Sequence, residues 1–297
     1  MVLNPTKTNF PATTYSVLGT LSLLTPWDVI GCGKLRVGGD SDGGYVLLDR
    51  LRREQPVLSY GVGLDSSFDF DLVRRGHRVF MFDHTVDGPC GGLTKGCVFI
   101  REGVAAKADP ESKLDTVLAH LRRYRLASRR DVILKMDIEG GEWDIIAALP
   151  DNAMDAFEQI VVEFHWLENL KRERFTAQVR AALQRLNERF TLCHVHANVY
   201  GGVRRPAGVV LPNVLEATYV RSDLISRKPN KTFYPTEHDH ANRPGSKDIV
   251  LSMYPFVPMV LPRQPSAPKE SPPNKKHAGG KVIRSPPARA AKSPARA

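Results

Sequence analysis

What this 297-residue chain lacks narrows its class before any motif does. It contains no run of about 18 apolar residues, so no transmembrane helix is expected. Residues 17–24 are apolar but few, are interrupted by Ser and Thr, and are stopped by Pro26 and Asp28. No small-residue cleavage site follows them, which argues against a signal peptide. Cysteine is scarce: Cys32, Cys90, Cys97 and Cys193 form no Cys-x-x-Cys pair and no zinc-ligand spacing. Reduced, partly buried thiols in a cytoplasmic setting are the expectation, and nothing in the sequence supports a Cys90–Cys97 disulfide. No Gly-Lys-Ser/Thr follows the glycine-bearing turn at residues 60–68, which argues against a P-loop NTPase. The full dinucleotide fingerprint is also missing, because Ser66 stands where its third glycine would fall. No internal repeat is visible.

The chain is basic, with a formal charge of +10. The distribution argues against a nucleic-acid-binding body. Residues 262–297 carry nine Lys and Arg against the single acid Glu270, so the tail holds +8 and the rest of the chain +2. This tail is rich in Pro, Ala, Ser and Lys and poor in large apolar side chains, a composition that cannot offset its ordering entropy, so it reads as disordered. Its three Ser-Pro steps, at Ser271, Ser285 and Ser293, are candidate phosphate acceptors. The tail is either a solubilising appendage or a weak electrostatic contact to nucleic acid or an anionic membrane.

The body alternates strand and helix patterns. Residues 57–60, 78–82, 97–101, 132–136 and 159–164 read as short buried strands. In residues 113–124, Leu114, Val117, Leu118 and Leu121 form one helical stripe, and Phe175, Val179, Ala182, Leu183 and Leu186 form another. Residues 190–196 and 214–220 read as two further strands around a Gly/Pro-rich loop at 201–212. Such alternation predicts an α/β fold with a mostly parallel sheet covered on both faces. Near the N-terminus, Asp42-Gly43-Gly44 between apolar runs predicts a hairpin or tight turn within residues 36–48.

The most informative stretch is Lys135-Met136-Asp137-Ile138-Glu139-Gly140-Gly141-Glu142-Trp143. It follows a β-branched run and precedes a helical pattern, so three carboxylates lie where a buried strand ends and a helix starts. Helix capping accounts for one or two such acids. It does not account for all three beside a Gly-Gly that lets a ligand approach the backbone, and ligands of open α/β sheets bind at the carboxyl ends of strands. After the first strand, Tyr60-Gly61-Val62-Gly63 offers a tight turn with close backbone approach. The strand at 78–82 ends at Asp83, about twenty residues on, where a carboxylate can accept from ribose hydroxyls. Together they point to an adenosine-containing ligand, with His84 next to it. Alternation places Glu163 and His165 on one face. His194 and His196 repeat that spacing, so with Asp137 these residues are candidates for a metal site or a general-base cluster. Core histidines with satisfied hydrogen bonds are the plainer alternative.

The motif at 134–143 resembles the strand-four signature of FkbM-like S-adenosylmethionine-dependent methyltransferases. Arg36-Val37-Gly38 through Tyr45, Ser59 to Phe68, Phe82-Asp83-His84-Thr85, Leu114-Asp115-Thr116-Val117, Val162-Glu163-Phe164-His165, His196-Ala197-Asn198 and Pro212-Asn213-Val214-Leu215-Glu216 follow in the order that resemblance implies. It covers roughly residues 35–222. It implies a class I methyltransferase fold, Rossmann-like, with seven strands, the last antiparallel, and helices on both faces. It also implies S-adenosyl-L-methionine as cofactor and O-methylation of a sugar or small metabolite. On this resemblance Tyr60, Gly61, Gly63, Ser66, Asp83, His84 and Asp137 bind the cofactor. Asp137, Glu139 and His165 are the catalytic candidates, and no metal ligands are assigned, a divalent cation being the less favoured possibility. One departure stands out: Ser59-Tyr60 replaces the acid that many methyltransferases place just before the first glycine, leaving Asp65 or Asp137 to meet the cofactor's amino group.

The expected organisation is an N-terminal extension at 1–34, a methyltransferase domain at 35–225, a C-terminal extension at 226–261 packed on the body or forming a loop, and the tail at 262–297. The expected partner is a carbohydrate or other small-molecule acceptor. The alternatives are an RNA or protein methyltransferase recruited by the tail, and a non-catalytic protein that binds adenosine ligands or partners with the same fold.

Overall fold

The computed structural model describes residues 11–92 and 95–258. The chain runs α1 (Ala12–Leu21), β1 (Trp27–Ile30), β2 (Lys34–Val37), β3 (Tyr45–Leu48), β4 (Pro56–Tyr60), α2 (Ser67–Arg74), β5 (Arg78–Phe82), β6 (Cys97–Ile100), β7 (Gly103–Val104) and β8 (Leu114–Asp115). It continues through α3 (Val117–Arg123), β9 (Val132–Met136), α4 (Glu142–Ala148), α5 (Asp151–Met154), β10 (Phe157–Phe164) and α6 (Glu173–Asn187). The last elements are β11 (Phe190–Ala197), β12 (Val203–Arg204), β13 (Leu211–Pro212), β14 (Leu215–Arg221) and β15 (Ser226–Pro229).

Seven of these strands form one sheet in the order β11-β14-β10-β9-β4-β5-β6. The pairs β10–β9, β9–β4, β4–β5 and β5–β6 are parallel. β14 runs antiparallel between β10 and β11. The central strands β4, β9 and β10 are buried along their whole length, as their Val/Ile/Leu-rich sequences require when both faces are covered. One face carries Leu58, Phe80, Leu134 and Val162 against α1, α3, α4 and α6. The other carries Val57, Val79, Ile133 and Val161 against Phe68 and Leu72 of α2 and Val37, Tyr45 and Leu47 of the β2–β3 pair. An antiparallel hairpin thus takes space on a face where the sequence pattern leads one to expect helices. Its register runs from Lys34 opposite Leu48 to Val37 opposite Tyr45, joined by a loop rather than a two-residue turn.

α6 follows its apolar stripe: Val179, Ala182, Leu183 and Leu186 are fully buried. α3 does not begin where its stripe does. Leu114 lies in β8, and the helix starts only after Thr116, whose hydroxyl accepts from the Ala119 N–H at 3.2 Å. An N-cap side chain outcompetes one more helical turn, because it satisfies a backbone donor that the turn would leave open.

The segments flanking the sheet are tied to it. Arg180 of α6 donates to the Ser16 carbonyl of α1 at 2.9 Å, and β1 pairs antiparallel with β15. After β15 the chain is irregular, yet Tyr234, Leu251 and Phe256 are buried in the main core. The tail at 262–297 lies outside the described residues. Among those described, no helix is long and apolar enough to cross a membrane, and no disulfide joins Cys32, Cys90, Cys97 or Cys193.

Candidate active site

The carboxyl ends of β4, β5 and β9 are knitted together by their backbones. Gly61 N–H donates to the Phe82 carbonyl at 3.0 Å, and Asp137 N–H to the Tyr60 carbonyl at 3.1 Å. Gly61 has φ +77°, and a Cβ there would lie 1.6 Å from the Asp137 carbonyl oxygen, so no side chain fits between these strand ends. Gly63, φ +57°, has nothing within 4 Å of its Cβ position and faces open space.

Beside this loop lies a cavity of about 540 Å³ whose wall includes Tyr60, Gly61, Gly63, Asp83, His84 and Asp137, a volume suited to a nucleoside-sized ligand. A second cavity of about 370 Å³ is lined by Glu163, His165, Asn198, Tyr200 and Val214 among others. Asp42, Asp137 and Glu139 belong to both walls. Asp83 is more occupied than an idle ligand contact. One oxygen accepts from the Val62 and Gly63 N–H groups, both at 3.0 Å, and the other from the Thr85 N–H and hydroxyl at 2.8 and 2.6 Å. Burial pushes this carboxyl up, but the bonds from Gly63, Thr85 and Val62 outweigh it and hold it below its ordinary value. Asp83 therefore shapes the glycine loop directly. The exposed His84 ring lies against Gly103, where a Cβ would meet its Nδ1 at 2.5 Å. Tyr60 is fully buried and bonds His120 Nδ1 through its hydroxyl at 2.9 Å. Ser66 does not join the cavity wall: its hydroxyl accepts from the Cys90 N–H at 3.1 Å at the start of α2.

The acids of the 134–143 motif converge on His165. Glu142 is completely buried, and its Oε1 is 3.0 Å from His165 Nδ1 while also accepting from the Ile138 and Gly140 N–H groups at 3.0 and 3.2 Å. That fixes the ring and leaves Nε2 facing Glu139 at 3.4 Å, Glu163 at 3.6 Å and Asp137 at 4.0 Å. Burial lowers the His165 pKa, but the Glu142 bond and the surrounding carboxylates raise it above the ordinary histidine value. Asp137 accepts from the Tyr45 hydroxyl at 2.8 Å and pairs with Lys135 at 3.5 Å. Burial opposes its ionisation, yet the Lys135 charge and bonds from Glu163 and Tyr45 hold it below its usual range. Glu163 is driven the other way by burial and by the Asp137 and Glu216 charges, so the two carboxyls are pushed apart, Asp137 toward its ionised form and Glu163 toward its protonated one.

Two groups among the described residues have a spacing compatible with a metal ion: Glu102, Asp115 and His120, and Asp137, Glu142 and His165. In the first, Arg123 already pairs with both acids. His194 and His196 do not join Asp137. His194 Nε2 lies 2.8 Å from Asp239, and His196 bridges Glu216 at 3.1 Å and Asp248 at 2.9 Å. They are core histidines that clamp the C-terminal segment, as the plainer alternative had it.

Sequence reasoning missed the parts played by Tyr45, Lys135 and Glu142. A period-two reading of β9 places Lys135 beside Asp137 and offered that signal. The Glu142 contact had none, because it depends on the distance between α4 and β10.

Among curated proteins, none matches the chain. Among solved structures it is similar to a candidate hemolysin from Streptococcus thermophilus, at 11% identity over 58% of this chain and 60% of that one, TM-score 0.36. It is also similar to a SAM-dependent methyltransferase from Agrobacterium tumefaciens, at 14% identity over 57% of each chain, TM-score 0.34. A third is a point mutant of the 16S rRNA (adenine(1408)-N(1))-methyltransferase from Catenulisporales acidiphilia, at 11% identity over 59% of this chain and 87% of that one, TM-score 0.29. The match thus spans less than two thirds of the first two chains. Residues 44–190 match the model of the methyltransferase FkbM domain, and that part of the chain belongs to this family.

Proposed function

We propose that this chain is an S-adenosylmethionine-dependent methyltransferase acting on a hydroxyl of a carbohydrate or other small molecule. One observation carries the reading: the nucleoside-sized cavity and the second cavity share Asp42, Asp137 and Glu139 in their walls, so a donor in one and an acceptor in the other would meet at the end of β9. The donor cavity suits the cofactor on its own features, a glycine loop open at Gly63 and carboxylates in its wall, among them Asp69, Asp83 and Asp137.

When bound, S-adenosylmethionine supplies a methyl group on a sulfonium, open to in-line attack, so positioning provides much of the rate. A hydroxyl acceptor must lose its proton as the new bond forms. His165 Nε2 is the group set to take it, since Glu142 holds Nδ1 and the ring lines the acceptor cavity. Asp137, ionised and braced by Tyr45 and Lys135, orients the hydroxyl and balances the imidazolium that forms. Glu139, the exposed member at the shared wall, supports the same charge.

The test is transfer of labelled methyl groups to a panel of mono- and disaccharides and small alcohols. His165→Asn should lower turnover about 10²–10⁴-fold while binding of S-adenosylhomocysteine is unchanged. The rising limb of the pH–rate profile should lie above the ordinary histidine value, because the neutral ring is the active form and its pKa is raised. Undiminished turnover in His165→Asn removes the histidine from the reaction, and no transfer to any acceptor removes this acceptor class.

A further inference from the structure

One carboxylate oxygen in the wall of the larger cavity lacks a hydrogen-bond partner. Asp69, in the first turn of α2, is 2% exposed and lines that cavity. Its Oδ1 has no hydrogen-bond partner, and the hydroxyl of Ser59, fully buried near the end of β4, has none within reach but Asp69 itself. Burial pushes the Asp69 carboxyl up, and Lys135 and Ser59 are near enough to pull it part-way back. Lys135 does not neutralise it by contact, because its ammonium donates to the Gly61 carbonyl and pairs with Asp137. An acid in a first helical turn is ordinarily explained by the helix dipole. That explanation suits a solvated carboxylate better than one buried with an idle oxygen, which is destabilising until a cation or donor meets it.

The position explains a gap in the sequence. The chain has Ser59-Tyr60, and no acid, just before the first glycine, and Asp69 reaches the side of Ser59 from the facing helix. We propose that Asp69 is the binding site for a ligand ammonium, the α-amino group of the methionine part of an adenosyl ligand, so that the acid absent from the strand end is supplied by α2. This rests on the methyl-transfer reading above.

The full chain tests it by calorimetry with two probes, S-adenosylhomocysteine and its desamino analogue, which keeps the carboxylate and lacks the amine. Wild-type protein should bind the first at least about tenfold more tightly, the range of a hydrogen bond to a charged group. In Asp69→Asn the two should bind alike, the loss falling on the amine-bearing ligand only. The variant should melt no lower than wild type, because it removes a buried charge, whereas a capping or packing role predicts a lower melting temperature. Asp69→Ala should repeat the loss of discrimination. Equal binding of both probes by wild type overturns the assignment, as does equal weakening of both by Asp69→Asn. Wild-type protein that binds neither probe overturns the adenosyl reading itself, and this assignment with it.

Discussion

Gly61 and Gly63 offer a sharp test of how the loop after β4 works, since the same substitution two residues apart should behave differently. Both have positive φ, so alanine at either position carries a left-handed conformation costing roughly 1–2 kcal/mol. At Gly63 that is all, because the Cβ position is empty to 4 Å. At Gly61 the new methyl group would lie 1.6 Å from the Asp137 carbonyl oxygen and 3.4 Å from the Ile138 side chain. β4 and β9 must then separate at their carboxyl ends, or the loop must turn out of register. Overpacking of this kind adds about 1–3 kcal/mol, giving about 2–5 kcal/mol for Gly61→Ala against about 1–2 kcal/mol for Gly63→Ala. Urea unfolding at constant m-value measures both. Calorimetry with S-adenosylhomocysteine should show the larger loss in Gly61→Ala, since the displaced carbonyl belongs to Asp137 itself. Equal destabilisation by the two substitutions would refute the claim that close approach of two backbones, rather than backbone freedom alone, requires the glycine at 61.

Three further outcomes follow from the same geometry. Glu142→Ala strands the Ile138 and Gly140 N–H groups and frees His165; it should cost about 2–4 kcal/mol in unfolding and lower turnover as His165→Asn does. His196 is pushed up to about 10, burial opposing and the Glu216 charge and the Asp248 bond prevailing. Its folded pKa lies above its unfolded value, so its stabilisation is complete below about pH 6.5 and is lost as pH rises toward 10, on the order of a few kcal/mol; His196→Gln should flatten that decline in a pH series of unfolding midpoints. Burial pushes the Cys193 thiol up to about 12 while Cys90 is exposed, so iodoacetamide should label Cys90 in the folded protein and reach Cys193 only after unfolding.

Much of the sheet was legible because buried strands are built mainly from large apolar residues, as β4, β5, β9, β10, β11 and β14 are despite polar members such as Lys135, Glu163, His194 and Glu216. The clustering of Asp137, Glu139 and His165 was legible for a related reason: residues at strand ends of a parallel sheet converge on one rim whatever joins them. What stayed hidden depends on partners far along the chain. His194 and His196 resembled metal ligands because Asp239 and Asp248 come from an irregular segment with no periodicity to read. Ser66 looked like part of the ligand loop, but α2 begins there and turns its hydroxyl to Cys90. Asp69 was indistinguishable from any first-turn acid until its burial was known. The hairpin signal at 42–44 was plain, yet not that it lays Tyr45 against Asp137.

The account stands most directly on where an adenosyl ligand lies. A crystal structure of the full chain with S-adenosylhomocysteine should place the adenosine beside Gly61, Gly63 and His84, with the sulfur directed at Asp137 and Glu139 where the two cavities meet. A ligand bound elsewhere on the molecule, or with its sulfur turned away from the acceptor cavity, would contradict it.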